Sequence, residues 1–352
     1  MKTIAEKKAI FEQTTFQFFD EKKEFKILAD KVGGNSFFIT GASGVFGQWI
    51  ISFFEWTISR GIACPSIRLL LRDATNNKYQ SHNCIQGDIV NFEKPSEKFE
   101  YLIHLAAPSA KDTFSGMDNS AKLTQLIHGT EHILNFAETN ILNRTLMVSS
   151  GAVYGGFGPN RKTPISEIER TAPLFSSVDY GLAIGKRVLE AMTSERCRNN
   201  SLDASIARCF SFLGPELPTN LHYAAGNFLS NALSGKPIVI NGDGTPIRSF
   251  LYLGDMVYWL LTILFDGSKG EDYNVGSSKG VSIRELAEII SSVVGAADIH
   301  VLGKSNKSRG NPENYFYIPD TTKAKTQLGV PEFTTLKQSL VSFMEYELKK
   351  IS

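Results

Sequence analysis

The stretch Phe37 to Gly47, FFITGASGVFG, constrains this chain more than any other. An apolar run ends at Thr40, and three glycines follow at three-residue spacing: Gly41, Gly44 and Gly47. A helical pattern then begins at Gln48. Strand, glycine turn and helix in that order make a cradle for a pyrophosphate. Gly41 lets the chain leave the strand sharply. Gly44 lets the backbone approach phosphates with no Cβ in the way, and Gly47 lets the helix pack close to the sheet. Amides at the helix start, around Val45 and Phe46 with Ser43 in the turn before them, face an anion with the helix dipole behind them. A glycine-rich turn with no ligand would carry the same glycines. The rest of the chain decides between the two.

From Phe37 onward strand and helix patterns alternate. That predicts a parallel sheet covered on both faces, a doubly wound α/β fold of the Rossmann type. The first helix is expected over 48–59, a second strand over 66–71, a third over 84–89 and a fourth over 101–105. A helix over 120–139 and a fifth strand over 146–149 follow. Ligands of such sheets bind beyond the carboxyl ends of the strands, so the residues at those ends matter most.

The second strand ends in Arg72 and Asp73. A carboxylate there bonds a ribose 2′-hydroxyl, and an arginine accepts a 2′-phosphate. Arg72 has the better place, which favours NADP, while a slip of one residue turns the reading to NAD. The third strand closes with Asp88 and Ile89, where the aspartate holds an adenine amino group or simply closes a turn. At the end of the fourth strand and just beyond it, Leu105, Ala106 and Ala107 are small or apolar enough for a cofactor to lie across the sheet. They would serve equally as packing. The fifth strand delivers Ser149 and Ser150 to the same edge.

Composition excludes several classes. Lys plus Arg (37) nearly cancels Asp plus Glu (36), so there is no basic field for nucleic acid. Apolar residues make up 42% of 352 residues, enough for one large or two ordinary domains with full cores. Cys64, Cys84, Cys197 and Cys209 lack metal-ligand spacing, which argues against a metal site and fits a reducing, cytoplasmic setting. The longest apolar run, Met256 to Phe265, is too short to span a bilayer. No membrane partner is expected.

Before the glycine motif, residues 1–34 read as a mostly helical extension. Ile4, Phe11, Phe18 and Phe25 recur every seven residues as one apolar stripe. The stripe packs on its own domain or serves as a partner-binding arm. Residues 35–209 form the dinucleotide-binding domain with the catalytic groups. Residues 210–352 form a smaller, mainly substrate-binding α/β part with segments returning to the main sheet.

Ser150 lies in SSGAVYG, Tyr180 in DYGLAIGK, and Lys186 ends that second motif. A hydroxyl, a phenol and an ammonium together can remove a proton from an alcohol while hydride leaves the same carbon. A phenol has an unperturbed pKa of about 10, too high for a base at neutral pH. A neighbouring ammonium and an oxidised nicotinamide favour phenolate and lower it.

With these pieces in place the chain resembles the extended short-chain dehydrogenase/reductase family of nucleotide-sugar epimerases, dehydratases and reductases. The resemblance covers roughly 35–348. It rests on TGASGVFG, GDI, LIHLAAP, HGTEHIL, VSSGAVYG, Tyr180 with Lys186, ARCFSFLGP, GKPIVINGDGTPIRSFLYLGDM, YNVGSSKGVSIRELAEII and IPDTTKAKTQLG, in that order. It implies that Tyr180 is the acid/base, that Lys186 orients the cofactor ribose and that Ser150 polarises the reacting oxygen. It also implies NAD or NADP as cofactor, a nucleotide-diphosphate sugar as substrate, a homodimer through the helices at 120–139 and 180–197, and a setting in polysaccharide biosynthesis.

Two departures stand out. The family spacing is Tyr-x-x-x-Lys, one helical turn, whereas Lys186 follows Tyr180 by six positions. Register fixed on Lys186 and Glu190 puts Leu182 where tyrosine belongs. A late helix start or a bulge would bring Tyr180 back to the site. Secondly, 4,6-dehydratases of the family carry an acid pair after the hydroxyl residue. Gly151 and Ala152 stand there in this chain, which makes a dehydratase of that type unexpected.

On the substrate side, Asn227 opens a helix whose amides could meet a diphosphate. Arg248, by resemblance, binds the substrate's phosphates through paired donors and permanent charge, with a surface ion pair as the plainer alternative. Ser211 replaces a frequent asparagine at a substrate or diphosphate contact. Arg309 lies in a polar loop, and Asp255 is expected to cap the helix after Gly254. Ser282 and Glu285 predict a capping box, and a last helix is expected over 335–348.

The reading that follows is an NAD(P)-dependent nucleotide-sugar epimerase working through a transient ketone. An NADPH-dependent 4-keto-sugar-nucleotide reductase is the alternative. A non-catalytic dinucleotide-binding regulatory protein is the second alternative.

Overall fold

In the computed structural model a seven-stranded sheet carries the chain. Its strands are β1 (Ser36–Thr40), β2 (Ser66–Leu71), β3 (Asn83–Gln86), β4 (Phe99–His104), β5 (Ile141–Ser150), β6 (Ala204–Cys209) and β7 (Asp272–Val275). The structure describes residues 2–75, 79, 82–108, 112, 115–175, 180–221, 223–303 and 315–351. The strands lie in the order β3-β2-β1-β4-β5-β6-β7, and every pairing is parallel. Strand order reverses between β1 and β4, so a crevice opens beyond their carboxyl ends.

The helices are α1 (Ile4–Asp20), α2 (Lys23–Val32), α3 (Val45–Ser59), α4 (Asn119–Asn140), α5 (Tyr180–Arg198), α6 (Ala224–Leu233), α7 (Leu253–Asp266), α8 (Ile283–Val294), α9 (Thr322–Leu328) and α10 (Leu336–Ile351). Alternate strand side chains feed two cores. Phe37 and Ile39 face Trp49 and Phe53 of α3 and Trp259 of α7. Phe38 faces Ile133 and Phe136 of α4 and Leu189 of α5. Burial on both faces explains why the strands read as nearly continuous apolar runs. The longest apolar run of the chain is α7, buried on almost every side. Among the described residues no helix is long and apolar enough to cross a membrane.

The N-terminal extension is helical, in two pieces rather than one. Phe11, Phe18 and Phe25 of the stripe are buried, whereas Ile4 is 63% exposed. Phe18 lies so close over α7 that a Cβ on Gly254 would stand 2.3 Å from its ring. Thr15 and Ser52 hydroxyls meet at 2.5 Å across α1 and α3. Three of the four stripe residues are thus consumed in the core, and Ile4 is not.

Residues after β6 build a third core from α6, α8, α10 and the strand Ile238–Ile240. A small sheet there pairs the strand Ile247–Ser249 antiparallel to Gly280–Ser282 and parallel to Phe316–Tyr317. Ser282 and Glu285 form the expected capping box. Asp255 departs from expectation. It lies inside the first turn of α7, and its carboxylate accepts from the Thr334 amide at 3.0 Å and the Thr334 hydroxyl at 2.8 Å. It anchors the loop before α10 instead of capping α7.

Candidate active site

The glycine turn has the geometry of a phosphate cradle. Gly41 sits at φ +72°, and a Cβ there would lie 2.7 Å from the Ala106 amide nitrogen and the Leu105 carbonyl carbon. The turn between β1 and α3 therefore presses directly on the end of β4. A Cβ on Gly47 would come within 2.5 Å of the Gly41 carbonyl oxygen, so its role is to seat α3 on the turn itself. The helix begins at Val45, three residues before Gln48, which puts Val45 and Phe46 in its first turn. Gly44 is the N-cap and supplies no side-chain cap, and Ser43 and Gly44 are exposed. Uncapped amides at a helix start facing solvent suit an anion.

Along the crevice, Ala106 and Ala107 face Ile89, Gln125 and Gly129. The Gln125 Oε1 atom is buried there with no hydrogen-bond partner among the described residues. An orphaned acceptor beside a glycine cradle is what a dinucleotide with its own donors would satisfy. The residues present thus fit NAD or NADP, which when bound supplies or accepts hydride at its nicotinamide ring. Leu105 and Ala106 amides bond Thr40, at its carbonyl and hydroxyl respectively. His104 is fully enclosed against the Thr40 hydroxyl at 2.9 Å, and burial lowers its pKa to about 3, helped by the Lys186 charge.

At the end of β2, Arg72 reaches Asp112 at 3.7 Å and stays 66% exposed. Asp73 folds back on Thr75, accepting from its amide at 2.9 Å and its hydroxyl at 2.5 Å. β3 stops at Gln86, earlier than expected, so Asp88 and Ile89 lie in a turn. The Asp88 carboxylate accepts from the Val90 amide at 3.1 Å, and Ile89 packs on Gly129 of α4.

The chemistry-bearing groups gather at the end of β5. The Ser150 hydroxyl accepts from the Ala152 amide at 3.2 Å, and the Tyr317 phenol lies beside it, against Gly151. Lys186 is 3% exposed, and its Nζ donates to the Val148 carbonyl at 2.6 Å. Burial lowers its pKa to about 8, opposed by the Cys209 and Glu190 charges. Cys209, equally enclosed, has its thiol pushed up to about 12 by burial, with Lys186 pulling it back.

Tyr180 is the first residue of α5, which runs to Arg198 as unbroken α-helix. No bulge separates it from Lys186. At about 100° per residue, six positions turn the two side chains roughly 120° apart. Leu182, one turn before Lys186, shares its face. The Tyr180 ring meets Phe175 edge-on at 6.2 Å, and among the described residues it forms no hydrogen bond with Ser150 or Lys186.

Of the substrate-side residues, Arg248 is partly buried in the strand Ile247–Ser249. Its Nη1 donates to the Ile247 carbonyl at 2.8 Å and the Tyr315 carbonyl at 3.3 Å. Burial lowers its pKa, with Tyr317 opposing. Ser211 lies half-buried just after β6, its carbonyl accepting from the Leu251 amide at 3.0 Å. Asn227 stands a turn inside α6, not at its start. Arg309 lies outside the described residues.

Sequence reasoning missed Tyr317 and Gln125. Tyr317 directly precedes the IPDTTKAKTQLG motif, so a phenol beside a recognised segment was its only signal.

The sequence model described as NAD dependent epimerase/dehydratase family matches residues 37–276. The chain is 25% identical over 276 residues to UDP-glucuronic acid decarboxylase 1 of Xenopus tropicalis, covering 78% of this chain and 62% of that protein. Its fold is similar to UDP-N-acetylglucosamine 4-epimerase from Methanobrevibacter ruminantium M1, solved with UDP-N-acetylmuramic acid, at TM-score 0.76 and 21% identity, covering 90% and 99% of the two chains. It is similar also to RMD from Pseudomonas aeruginosa, solved with NADPH, at TM-score 0.69 and 22% identity, covering 89% and 98%. The glycine cradle, the parallel sheet and the matched span agree: the chain belongs to the NAD dependent epimerase/dehydratase family.

Proposed function

We propose that this protein is an NAD(P)-dependent nucleotide-sugar epimerase, oxidising a sugar hydroxyl to a transient ketone and re-reducing it. The observation that carries this reading is the Ser150 hydroxyl at the sheet edge. Lys186 bonds the carbonyl of Val148 two residues back on the same strand, and the Tyr317 hydroxyl lies against Gly151, the next residue. Gly151 supports it further. A Cβ there would lie 2.5 Å from the Tyr317 hydroxyl and 2.9 Å from the Phe210 ring, which leaves no room for the acidic side chain of a 4,6-dehydratase. Arg248 is the group for the diphosphate, with Ser211 and Asn227 as lesser substrate contacts. Lys186 orients the cofactor ribose once Nζ leaves the Val148 carbonyl. A homodimer packed through α4 and α5 and a cytoplasmic role in polysaccharide synthesis complete the reading.

A keto-sugar reductase is the second reading, favoured by Arg72, whose side chain stays exposed at the end of β2 while Asp73 is engaged by Thr75. Mass spectrometry of small molecules released from the purified protein separates the two. One equivalent of retained NAD(H) supports the epimerase. Protein purified empty, binding NADPH at least tenfold tighter than NADH and losing that preference in Arg72→Ala, supports the reductase. A protein that holds dinucleotide but binds no nucleotide sugar would be left as a regulatory protein.

A further inference from the structure

α5 does not present a phenol on the Lys186 face, because Leu182 occupies that position and Tyr180 is turned away from it. Proton transfer to a sugar oxygen needs some group that can hold and release a proton within hydrogen-bond reach. Serine alone is a poor choice, since its alkoxide is far too basic to persist.

One phenol does reach the site. Tyr317 comes from the strand Phe316–Tyr317, and its phenol lies beside Ser150, against the next residue, Gly151. Its hydroxyl stands over Gly151, 2.5 Å from where a Cβ would be. The ring is fixed by Phe210, centroids 4.7 Å apart at 36°. Arg248 is its register partner on the neighbouring strand, so a guanidinium lies beside it. Burial raises the phenol above the ordinary tyrosine range, and the Ser150 hydroxyl and the Arg248 charge oppose that rise. It therefore keeps its proton at neutral pH and has a countercharge waiting when it loses it.

We propose that Tyr317, acting through the neighbouring Ser150 hydroxyl, carries the proton to and from the reacting sugar oxygen in place of Tyr180. The proposal rests on the nucleotide-sugar reading above. In the reducing direction the ketone oxygen forms a bond to the Ser150 hydroxyl proton as its carbon gains an electron pair, delivered as hydride from a reduced nicotinamide. The Ser150 Oγ–H bond breaks, and Oγ takes the proton of the Tyr317 phenol. The phenolate is held by Arg248 until water returns a proton. Oxidation runs the same path backwards, with the alcohol proton passing through Ser150 to the phenolate.

The test uses full-length protein carrying 3-fluorotyrosine at position 317 or at position 180, with UDP-glucose and UDP-glucuronic acid as probes. Saturating either probe in the presence of NAD+ should shift the fluorine resonance at 317, because the sugar oxygen engages the Ser150 hydroxyl beside it, and should leave 180 nearly unmoved. Nicotinamide reduction by whichever probe the wild type oxidises should fall about 100-fold or more in Tyr317→Phe and less than threefold in Tyr180→Phe. Both variants should bind NAD+ within twofold of wild type. The fluorinated phenol at 317, being more acidic, should also move the limb of the pH–rate profile downward, which a packing role would not do. Binding of a probe with a silent resonance at 317, or a loss of turnover confined to Tyr180→Phe, overturns the proposal alone. Failure of wild type to bind either probe removes the nucleotide-sugar reading and this proposal with it.

Discussion

Glu190 grips Arg208 with both carboxylate oxygens, Oε1 at 3.0 Å from Nε and Oε2 at 2.7 Å from Nη2. The same Oε1 accepts from the Ser149 hydroxyl at 2.5 Å. One buried carboxylate thus ties α5 to the ends of β5 and β6, the strands that deliver Ser150 and Ser211. Burial works against the Arg208 charge, yet the Glu190 bonds and charge leave its pKa raised. Asp272 also meets Arg208, at 2.6 Å, so losing Glu190 leaves the guanidinium one carboxylate instead of two and frees the Ser149 hydroxyl. Glu190→Ala should cost about 1–3 kcal/mol in urea unfolding, and Glu190→Gln, which keeps an acceptor, clearly less. Equal losses in the two variants would mean that the charge is irrelevant and only the shape matters.

The seam between α4 and α5 depends on glycine. A Cβ on Gly181 would stand 2.3 Å from the Asn119 carbonyl oxygen, which is backbone and has nowhere to go. The Gly181 amide also donates to the Asn119 side chain at 3.0 Å. Gly181→Ala should destabilise by about 1–3 kcal/mol through overpacking, even though alanine is the better helix former. Thermal melting of Gly181→Ala beside a solvent-facing control such as Arg198→Ala checks it. A rise in melting temperature would show that the helices separate at no cost.

The sheet was legible because its strands are buried on both faces and bounded by glycine and polar turns. The second strand was expected over the range now found for β2. The cradle glycines and the Ser282 capping box were equally local, each specified by neighbours in sequence. What could not be read was non-local. Tyr317 reaches Ser150 only because a strand more than 160 residues downstream pairs beside Arg248. Asp255 reads as a helix cap because caps are local habits, but Thr334 takes its oxygens from a loop folded against it. The regular start of α5 was the opposite case. A late start or a bulge would bring Tyr180 to the site, yet the helix begins at Tyr180 and runs on regularly.

The first 32 residues carry side chains that the rest of the domain needs. Phe19 is fully buried, 5.6 Å from the Phe53 and Trp56 rings and 4.8 Å from Phe25. Phe19→Ala should cost about 3–5 kcal/mol, the usual range for an aromatic truncated in a packed core. Deleting residues 2–32 should give an insoluble chain, since it bares Trp49, Trp56 and the Gly254 surface of α7. A soluble deletion product that still melts cooperatively and binds NAD+ would show that the two helices are an arm rather than part of the core.

Asp255 gives the stability a pH dependence of unusual sign. Burial raises its pKa from 3.8 to about 7, and the two Thr334 bonds only partly oppose this. The folded state therefore binds more protons than the unfolded state between those two values. Stability from this group is fully present below pH 3.8 and is lost as pH rises through about 7. Asp255→Asn keeps an acceptor for the Thr334 amide and a donor for its hydroxyl, and it does not titrate. Melting temperatures measured from pH 4 to pH 8 should show wild type falling relative to Asp255→Asn as pH rises. Asp255→Ala should be destabilised by about 1–3 kcal/mol, because the Thr334 amide loses its acceptor. A wild-type curve that rises relative to Asp255→Asn over the same interval would mean the carboxylate is folded in its charged form.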